Sequence, residues 1–505
     1  MSDTRTEVDV LIVGTGFAGL GMAVQLQRAG RPDFVVLERG GDVGGTWRDN
    51  TYPGAACDVP SHLYSFSFAP NPTWTRSFSP QPEIQAYLRS VADRFGVRDR
   101  IRFHHTVTDA RWDDPTGRWE VVAQTPDGPA HFSARVLLSA TGALSDPTIP
   151  DLPGLASFTG TVFHSARWDH SHDLTGERVA VVGTGASAIQ LVPQIQPKVA
   201  RLALFQRTAP WVIPRHDRPI TRVERRLYAR IPAVQRLARA LIYWGRETYA
   251  VAFTRNTKLL ALPRKLALSH IAKQIKDPEL RAKVTPSYTI GCKRILISND
   301  YYPALAQPNV DVVTDGIAEI TPTGVRTHDG AEHAVDTIIF ATGFHVTDMP
   351  VAQHVHGTDG RTLAQHWEDG MFAHRGTTVP GFPNLFLLVG PNTGLGHTSQ
   401  VFMIEQQIGY VLRALELMDS HGATTLEVRP DAVARDDAEI QARMATSVWT
   451  TGGCASWYLD ARGRNTTLWP DFTFRFKSRL SSIDARDHLL SVHAPQPAPE
   501  LVEAR

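Results

Sequence analysis

An α/β fold with two parallel-sheet nucleotide units and a helical insertion is predicted by three observations. Two glycine-rich turns each follow a hydrophobic run and open a helical stretch. Each turn is followed at the same offset by a charged residue, of opposite sign in the two cases. A strongly basic segment with helical spacing lies beyond the second turn.

The first element, Val8 to Val13, is apolar apart from Asp9 and reads as a buried parallel strand. Its turn, GTGFAG, supplies Gly14, Gly16, Phe17, Ala18 and Gly19, and a helical stretch runs from Leu20 to Ala29. Such a turn lets backbone N–H groups approach a pyrophosphate. The second unit repeats the pattern: a strand from Arg178 to Val182, then Gly183, Thr184, Gly185, Ala186, Ser187 and Ala188, then helical spacing from Ala188 to Gln196, with Pro193 making it less regular. With 38 glycines in 505 residues, three at fixed spacing arise by accident with a probability of about 0.2. The flanking strands and helices therefore carry the assignment of two Rossmann-like dinucleotide-binding units.

Glu38 stands 24 residues after Gly14, and Arg207 stands 24 residues after Gly183. The residue ending the second strand of such a unit meets the adenosine ribose. A carboxylate accepts hydrogen bonds from free ribose hydroxyls and repels a 2′-phosphate, so Glu38 suits FAD or NAD. Arg207, between Gln206 and Thr208, suits the 2′-phosphate of NADP. Two cofactors on one chain imply electron transfer between them.

Length and composition suit a large enzyme of about three domains, with 42% hydrophobic and 20% charged residues. A net charge of +1 carries no nucleic-acid signature. Cys57, Cys292 and Cys454 are widely spaced and odd in number, so neither a disulfide framework nor a zinc site is expected, and a reducing cytosol fits. The short stretch before the first strand leaves no room for a signal peptide, and no apolar run is long enough to span a membrane. Between Arg215 and Arg294, however, 19 Lys or Arg face 5 Asp or Glu. The apolar spacing through Val234, Leu237, Leu241, Tyr243 and Trp244, then Ile271 and Ile275, is mostly helical. The first reading of this segment is a solvated helical layer; a basic funnel for NADPH and a patch resting on anionic lipid are the others. From His493 onward a proline-rich tail is expected to be loose.

The most specific string lies between the two turns. Phe158, Gly160, His164, Trp168 and Asp169 form FxGxxxHxxxWD, whose four key residues have a chance expectation of about 10⁻³ in this chain. With it the chain resembles the single-chain, FAD- and NADPH-dependent Baeyer–Villiger monooxygenases. Related N- and S-oxidising flavin monooxygenases typically carry Phe or Tyr where Trp168 stands. A second string, from Gly44, Gly45, Thr46 and Trp47 through Tyr52-Pro53-Gly54 to Asp58, is similar to the same family. Ala140-Thr141-Gly142 and Ala341-Thr342-Gly343 resemble its two crossings between domains. The resemblance implies a discontinuous FAD-binding domain over residues 1–145 and 335–505. It would enclose an NADPH-binding domain over 146–334, with the helical insert at about 215–290.

The chemistry asks for a fixed cation. To attack a ketone, a peroxide formed by O₂ on reduced flavin must stay deprotonated, and its adduct with the ketone is also anionic. In GCKRILISNDYY the resemblance makes Arg294 that cation, Lys293 a partner of Arg207 and Thr208 on the 2′-phosphate, and Asp58 the carboxylate that orients Arg294. It also implies that Trp47 and Tyr64 line the FAD, and that His164 acts through conformation and NADPH positioning rather than as an acid or base. Gly390-Pro391-Asn392-Thr393-Gly394 is expected to open the final FAD-contacting helix, Leu395, Gly396 and His397 to border the ketone pocket, and Trp457 and Tyr458 to reach the NADPH side.

The implied reaction uses NADPH and O₂ to turn a small-molecule ketone into an ester or lactone, with sulfoxidation as a side activity. Two alternatives remain at this point: an N-hydroxylating flavin monooxygenase, and a non-catalytic redox-sensing protein that binds both cofactors. A disulfide reductase is disfavoured because closely spaced paired cysteines are absent from the sequence.

Overall fold

The computed structural model describes residues 5–493. The tail beyond His493, expected to be loose, lies outside the described residues.

The first glycine turn belongs to an eight-stranded sheet. Its central strand, Thr6–Val13, pairs in parallel with Phe34–Leu37 on one side and Gly128–Ser139 on the other. Leu11 and Ile12 are fully buried, as a strand covered on both faces requires. An antiparallel meander through Thr106–Asp113 and Arg118–Thr125 leads into Gly128–Ser139. Two late strands, Val355–His356 and Leu385–Leu387, join the same sheet in parallel, so it draws on both ends of the described chain.

The second turn belongs to a separate, fully parallel five-stranded sheet. Its order is Val310–Val313, Arg201–Phe205, Arg178–Val182, Thr337–Phe340, Thr161–His164. The helices Arg222–Arg230, Pro232–Thr254, Ala261–Gln274 and Pro278–Val284 all lie between the adjacent strands Arg201–Phe205 and Val310–Val313. Thr221 and Glu224 close the first of these helices with a reciprocal capping box.

Both turn helices begin earlier than their apolar spacing suggests, at Phe17 and Ala186. Gly16 and Gly185 are themselves the N-caps, without a side-chain cap, so the first turn of each helix presents uncapped backbone N–H groups. Gly14 has φ +103°, and a Cβ there would lie 2.7 Å from the Ala140 carbonyl oxygen. Gly183 has φ +112°, and a Cβ there would lie 2.5 Å from the Ala341 carbonyl oxygen. Each glycine turn thus rests on one of the two Ala-Thr-Gly segments. A Cβ on Gly19 would overlap the Gly14 carbonyl oxygen, so Gly19→Ala should force helix and strand apart at a cost of about 1–3 kcal/mol. Loss of bound flavin on gel filtration, read from the visible absorbance, checks this.

The two Ala-Thr-Gly segments follow Ser139 and Phe340, and the chain beyond one runs beside the other. The Thr148 amide donates to the Gly343 carbonyl at 2.9 Å, the His345 amide donates to the Asp146 carbonyl at 3.0 Å, and the Thr342 hydroxyl donates to the Thr148 carbonyl at 2.5 Å. This paired strap connects the two sheets.

Two expectations are corrected. The helix expected to open at Gly390–Gly394 starts at Gln400, with Ser399 as its cap. The Asn392 amide instead donates to the carbonyls of Asn465 and Leu468, pinning the loop to the C-terminal segment. Cys292 and Cys454 are joined in a disulfide across 162 residues, while Cys57 is free and buried. Sequence spacing does not report a pair that only the tertiary fold brings together.

Candidate active site

Both glycine turns open onto one cavity of about 1190 Å³. A Cβ on Gly185 would meet nothing within 4 Å, and one on Gly16 would meet only the Gly45 Cα, at 4.0 Å. These backbones border open space at the starts of two helices, the arrangement that receives a pyrophosphate. The donor set therefore fits two dinucleotides.

On the first side, Glu38 is buried at the end of its strand. One carboxylate oxygen accepts from the Thr15 amide at 3.0 Å and the Thr15 hydroxyl at 2.5 Å; the other accepts from the Gly40 amide and lies 2.5 Å from the Arg48 guanidinium. These partners satisfy the buried carboxylate and fix its direction. Glu38, Gly45 and Thr46 line the cavity with Phe17 and Ala18, whereas Gly19 serves helix packing behind them. Trp47 donates its indole N–H to the Tyr64 hydroxyl at 3.0 Å, and the rings meet edge to face at 5.6 Å. Both line the same cavity.

On the second side, Thr184, Ala186 and Ser187 line the cavity; Ala188 is buried in the helix. The Thr184 hydroxyl donates to the Thr208 carbonyl at 3.1 Å. Arg207 is exposed, and its charge, added to desolvation by burial, lowers the Lys293 pKa. Among the described residues neither cation has a carboxylate partner within 4 Å. Two neighbouring unpaired cations beside a cavity form a site for a dianion. Gln206 reaches the cavity too, but its amide is spent on the Lys283 carbonyl, at 2.8 Å.

Between the two sides stand Arg294 and Asp58. The Arg294 Nε and Nη2 donate to the two Asp58 oxygens at 2.7 and 2.8 Å, and Nη1 donates to the Leu395 carbonyl at 3.3 Å. Burial alone would raise the Asp58 pKa. The charge and hydrogen bonds of Arg294, with the charge of Arg246 behind it, outweigh burial and hold the carboxyl below its usual range. Asp58 raises Arg294 in turn. A lowered folded-state value means that the stabilisation from Asp58 is complete above pH ~4 and is lost as acid lowers the pH through that value. Turnover should therefore show no limb from Asp58 between about pH 6 and 9, which a pH–rate profile checks.

The disulfide is part of this neighbourhood. Cys292 precedes Arg294 by two residues, and Cys454 begins the segment carrying Trp457 and Tyr458. Tyr458 is buried close enough to Arg294 to feel its charge, while Trp457 lines the cavity.

The FxGxxxHxxxWD residues do not line the cavity. Phe158 packs into the core of the five-stranded sheet, and a Cβ on Gly160 would collide with the Asp336 carbonyl. His164 ends the strand paired with Thr337–Phe340, and its Nδ1 accepts from the Ala166 amide at 3.0 Å. Burial pulls its pKa down to about 4, with the charge of Arg167 adding to the effect, so the ring is neutral near pH 7. Trp168 packs edge to face on Phe163, and Asp169 caps the turn at Ser171. The motif lies beside the strap, with the His164 ring 5.8 Å from that of Phe344, and outside the cavity lining.

Leu395 lines the cavity, whereas Gly396 and His397 do not. His397 is buried 3.4 Å from Glu247 of the basic helical segment. Gln190 had no sequence signal as a site residue. Its side-chain oxygen accepts from the Tyr52 hydroxyl at 2.9 Å and the Ala56 amide at 3.2 Å, and its nitrogen donates to the Ala56 carbonyl at 3.0 Å. It ties the second turn helix to the stretch leading to Asp58. Gln190→Leu should slow flavin reduction by NADPH about tenfold without loss of flavin, as read by stopped-flow absorbance.

Comparison with known proteins shows the family. The chain matches the flavin-binding monooxygenase-like family over residues 7–355. It is 54% identical over 501 residues to a Baeyer–Villiger monooxygenase of Streptomyces coelicolor, covering 99% of this chain and 95% of that one. It is 50% identical over 483 residues to a Baeyer–Villiger monooxygenase of Pseudomonas aeruginosa, covering 95% and 91%. The crystal structure of cyclohexanone monooxygenase from Rhodococcus sp. Phi1 bound to NADP⁺ superposes with a TM-score of 0.85 at 28% identity, covering 97% of this chain and all of that one. No helix among the described residues is long and apolar enough to cross a membrane. The chain belongs to the flavin-binding monooxygenase-like family and, within it, to the Baeyer–Villiger monooxygenases.

Proposed function

We propose that Arg294 is the catalytic cation of a reaction in which NADPH and O₂ convert a ketone into an ester or lactone. The observation that carries this is the two-pronged Arg294–Asp58 pair in the single cavity onto which both dinucleotide turns open. FAD, when bound, supplies the redox chemistry that activates O₂. Asp58 takes Nε and Nη2 and the Leu395 carbonyl takes one N–H of Nη1, so the guanidinium is held in one plane with the second Nη1 hydrogen left for an anionic oxygen. With the flavin bound, that charge would stabilise negative charge developing on an oxygen that faces it. Arg207 and Lys293 hold the 2′-phosphate of NADPH, with Thr208 beside them, and Glu38 receives the ribose of FAD. Trp47 and Tyr64 wall the flavin, and Gln190 keeps the two halves in register.

The same reading divides the chain into an FAD part, residues 1–145 and 335–505, and an NADPH part, residues 146–334, with the helical insert at about 215–290. The sheet membership of Leu385–Leu387 supports that division, whereas Thr337–Phe340 pairs within the five-stranded sheet and moves the second boundary to beyond Phe340. A cytoplasmic location suits the use of NADPH, and the Cys292–Cys454 bond bears against it. Denaturing alkylation in freshly lysed cells tests the compartment: three reactive thiols support the cytoplasm, and one contradicts it.

The function is tested by reducing the FAD-loaded enzyme anaerobically with NADPH and then mixing it with O₂ and a panel of ketones. Ester formation with NADP⁺ still bound supports the reading. Hydrogen peroxide as the only product with every ketone and amine contradicts it.

A further inference from the structure

The surface formed by the helices Arg222–Arg230, Pro232–Thr254 and Ala261–Gln274 combines two features that the reaction does not use. Ten of the 17 large apolar side chains that are exposed among the described residues fall between Val223 and Leu266. From Arg225 to Lys276 there are 12 Lys or Arg and a single acidic residue, Glu247, which is buried.

Within the long helix, Leu237, Leu241 and Trp244 recur at helical spacing and form one stripe, 60%, 65% and 56% exposed. The opposite side is committed to the protein body. Gln235 donates to the Asn71 carbonyl, Arg239 donates to the carbonyls of His62 and Ser65, and Glu247 accepts from Thr473. The apolar stripe continues onto a second element, because the Trp244 ring lies 5.9 Å from that of the exposed Phe474. Leu262 and Leu266 repeat the spacing on the next helix, with exposed Arg264 and Lys265 between them.

We propose that this face seats the enzyme on an anionic phospholipid surface, with leucines and Trp244 entering the interface and the arginines and lysines meeting lipid phosphates. Charge complementarity selects this occupant. A second copy docking by the same face would bring two strongly cationic surfaces together. Nucleic acid would pair with the cations but leave the leucine stripe without an apolar partner. Apolar and cationic groups sharing one exposed helical face, with no helix among the described residues long and apolar enough to cross a bilayer, match an element that lies in the plane of the interface.

The test is sedimentation of the FAD-loaded full-length enzyme with vesicles of phosphatidylcholine alone or mixed with phosphatidylglycerol. Binding to the mixed vesicles, absent from phosphatidylcholine alone and reversed at about 1 M salt, is expected. Leu241→Glu/Trp244→Glu should weaken it at least about tenfold, and so should Arg230→Gln/Arg236→Gln, with bound flavin and vesicle-free ketone turnover unchanged. Two variants acting on different features keep the test decisive if one misfolds. No binding to mixed vesicles at low salt, or equal binding by the wild type and both variants, overturns the proposal. So does a dimer in solution that Leu241→Glu/Trp244→Glu dissociates, because a second copy would then cover the face.

Discussion

Arg294→Ala is expected to retain flavin and to continue consuming NADPH, but to lose ester formation by about a thousandfold. At about 4 Å and an effective dielectric near 20, one positive charge supplies ~4 kcal/mol to a facing anion before offsets, which corresponds to that factor. The loss should appear as uncoupling, with NADPH oxidised and hydrogen peroxide released in place of ester. Arg294→Lys separates charge from geometry. It keeps the cation but lacks the fork that holds both Asp58 oxygens, so it should recover only part of the ester yield. Asp58→Asn keeps the shape and removes the carboxylate charge, and should lower the yield less than Arg294→Ala. Product analysis beside NADPH consumption separates all three. Equal loss of both readouts in Arg294→Ala would mean that the residue serves reduction or folding instead.

The second large effect concerns cofactor choice. Arg207→Ala should raise the KM for NADPH by about ten- to a hundredfold and leave that for NADH nearly unchanged, because a charge-assisted hydrogen bond contributes about 1.5–3 kcal/mol. Lys293 lies near Arg207, and its pKa is lowered by burial and by that charge. A phosphate dianion between them would relieve the repulsion, so the two cations act as a unit. Lys293→Ala in the Arg207→Ala background should therefore cost less than it does alone. Steady-state kinetics with both nucleotides measure this. An equal rise in KM for NADH would place the two cations on the pyrophosphate rather than on the 2′-phosphate.

Much of the fold was legible because its signals are local. The strands before Gly14 and Gly183, the glycine turns, and the equal offsets to Glu38 and Arg207 sit within short stretches of chain. Parallel strands covered on both faces need unbroken apolar runs, which such stretches display. The helix starts were misplaced by two or three residues because the turn glycine itself is the N-cap, so helix begins inside the fingerprint. The Arg294–Asp58 pair spans 236 residues, and only the family resemblance links its members in the sequence. Nothing of that kind was available for Cys292 and Cys454, or for Gln190, whose partners lie 134 and 138 residues away. The helix expected at Gly390–Gly394 failed for a related reason: the Asn392 side chain bonds a segment more than seventy residues downstream, and this holds the loop open until Ser399.

The most direct measurement is turnover of a ketone by the FAD-loaded enzyme with NADPH under ¹⁸O₂, with mass analysis of the product and of the released water. One labelled atom in the ester or lactone, and the other in water, is the result this account predicts. An unlabelled product, or both labelled atoms recovered as hydrogen peroxide with no ester, would contradict it.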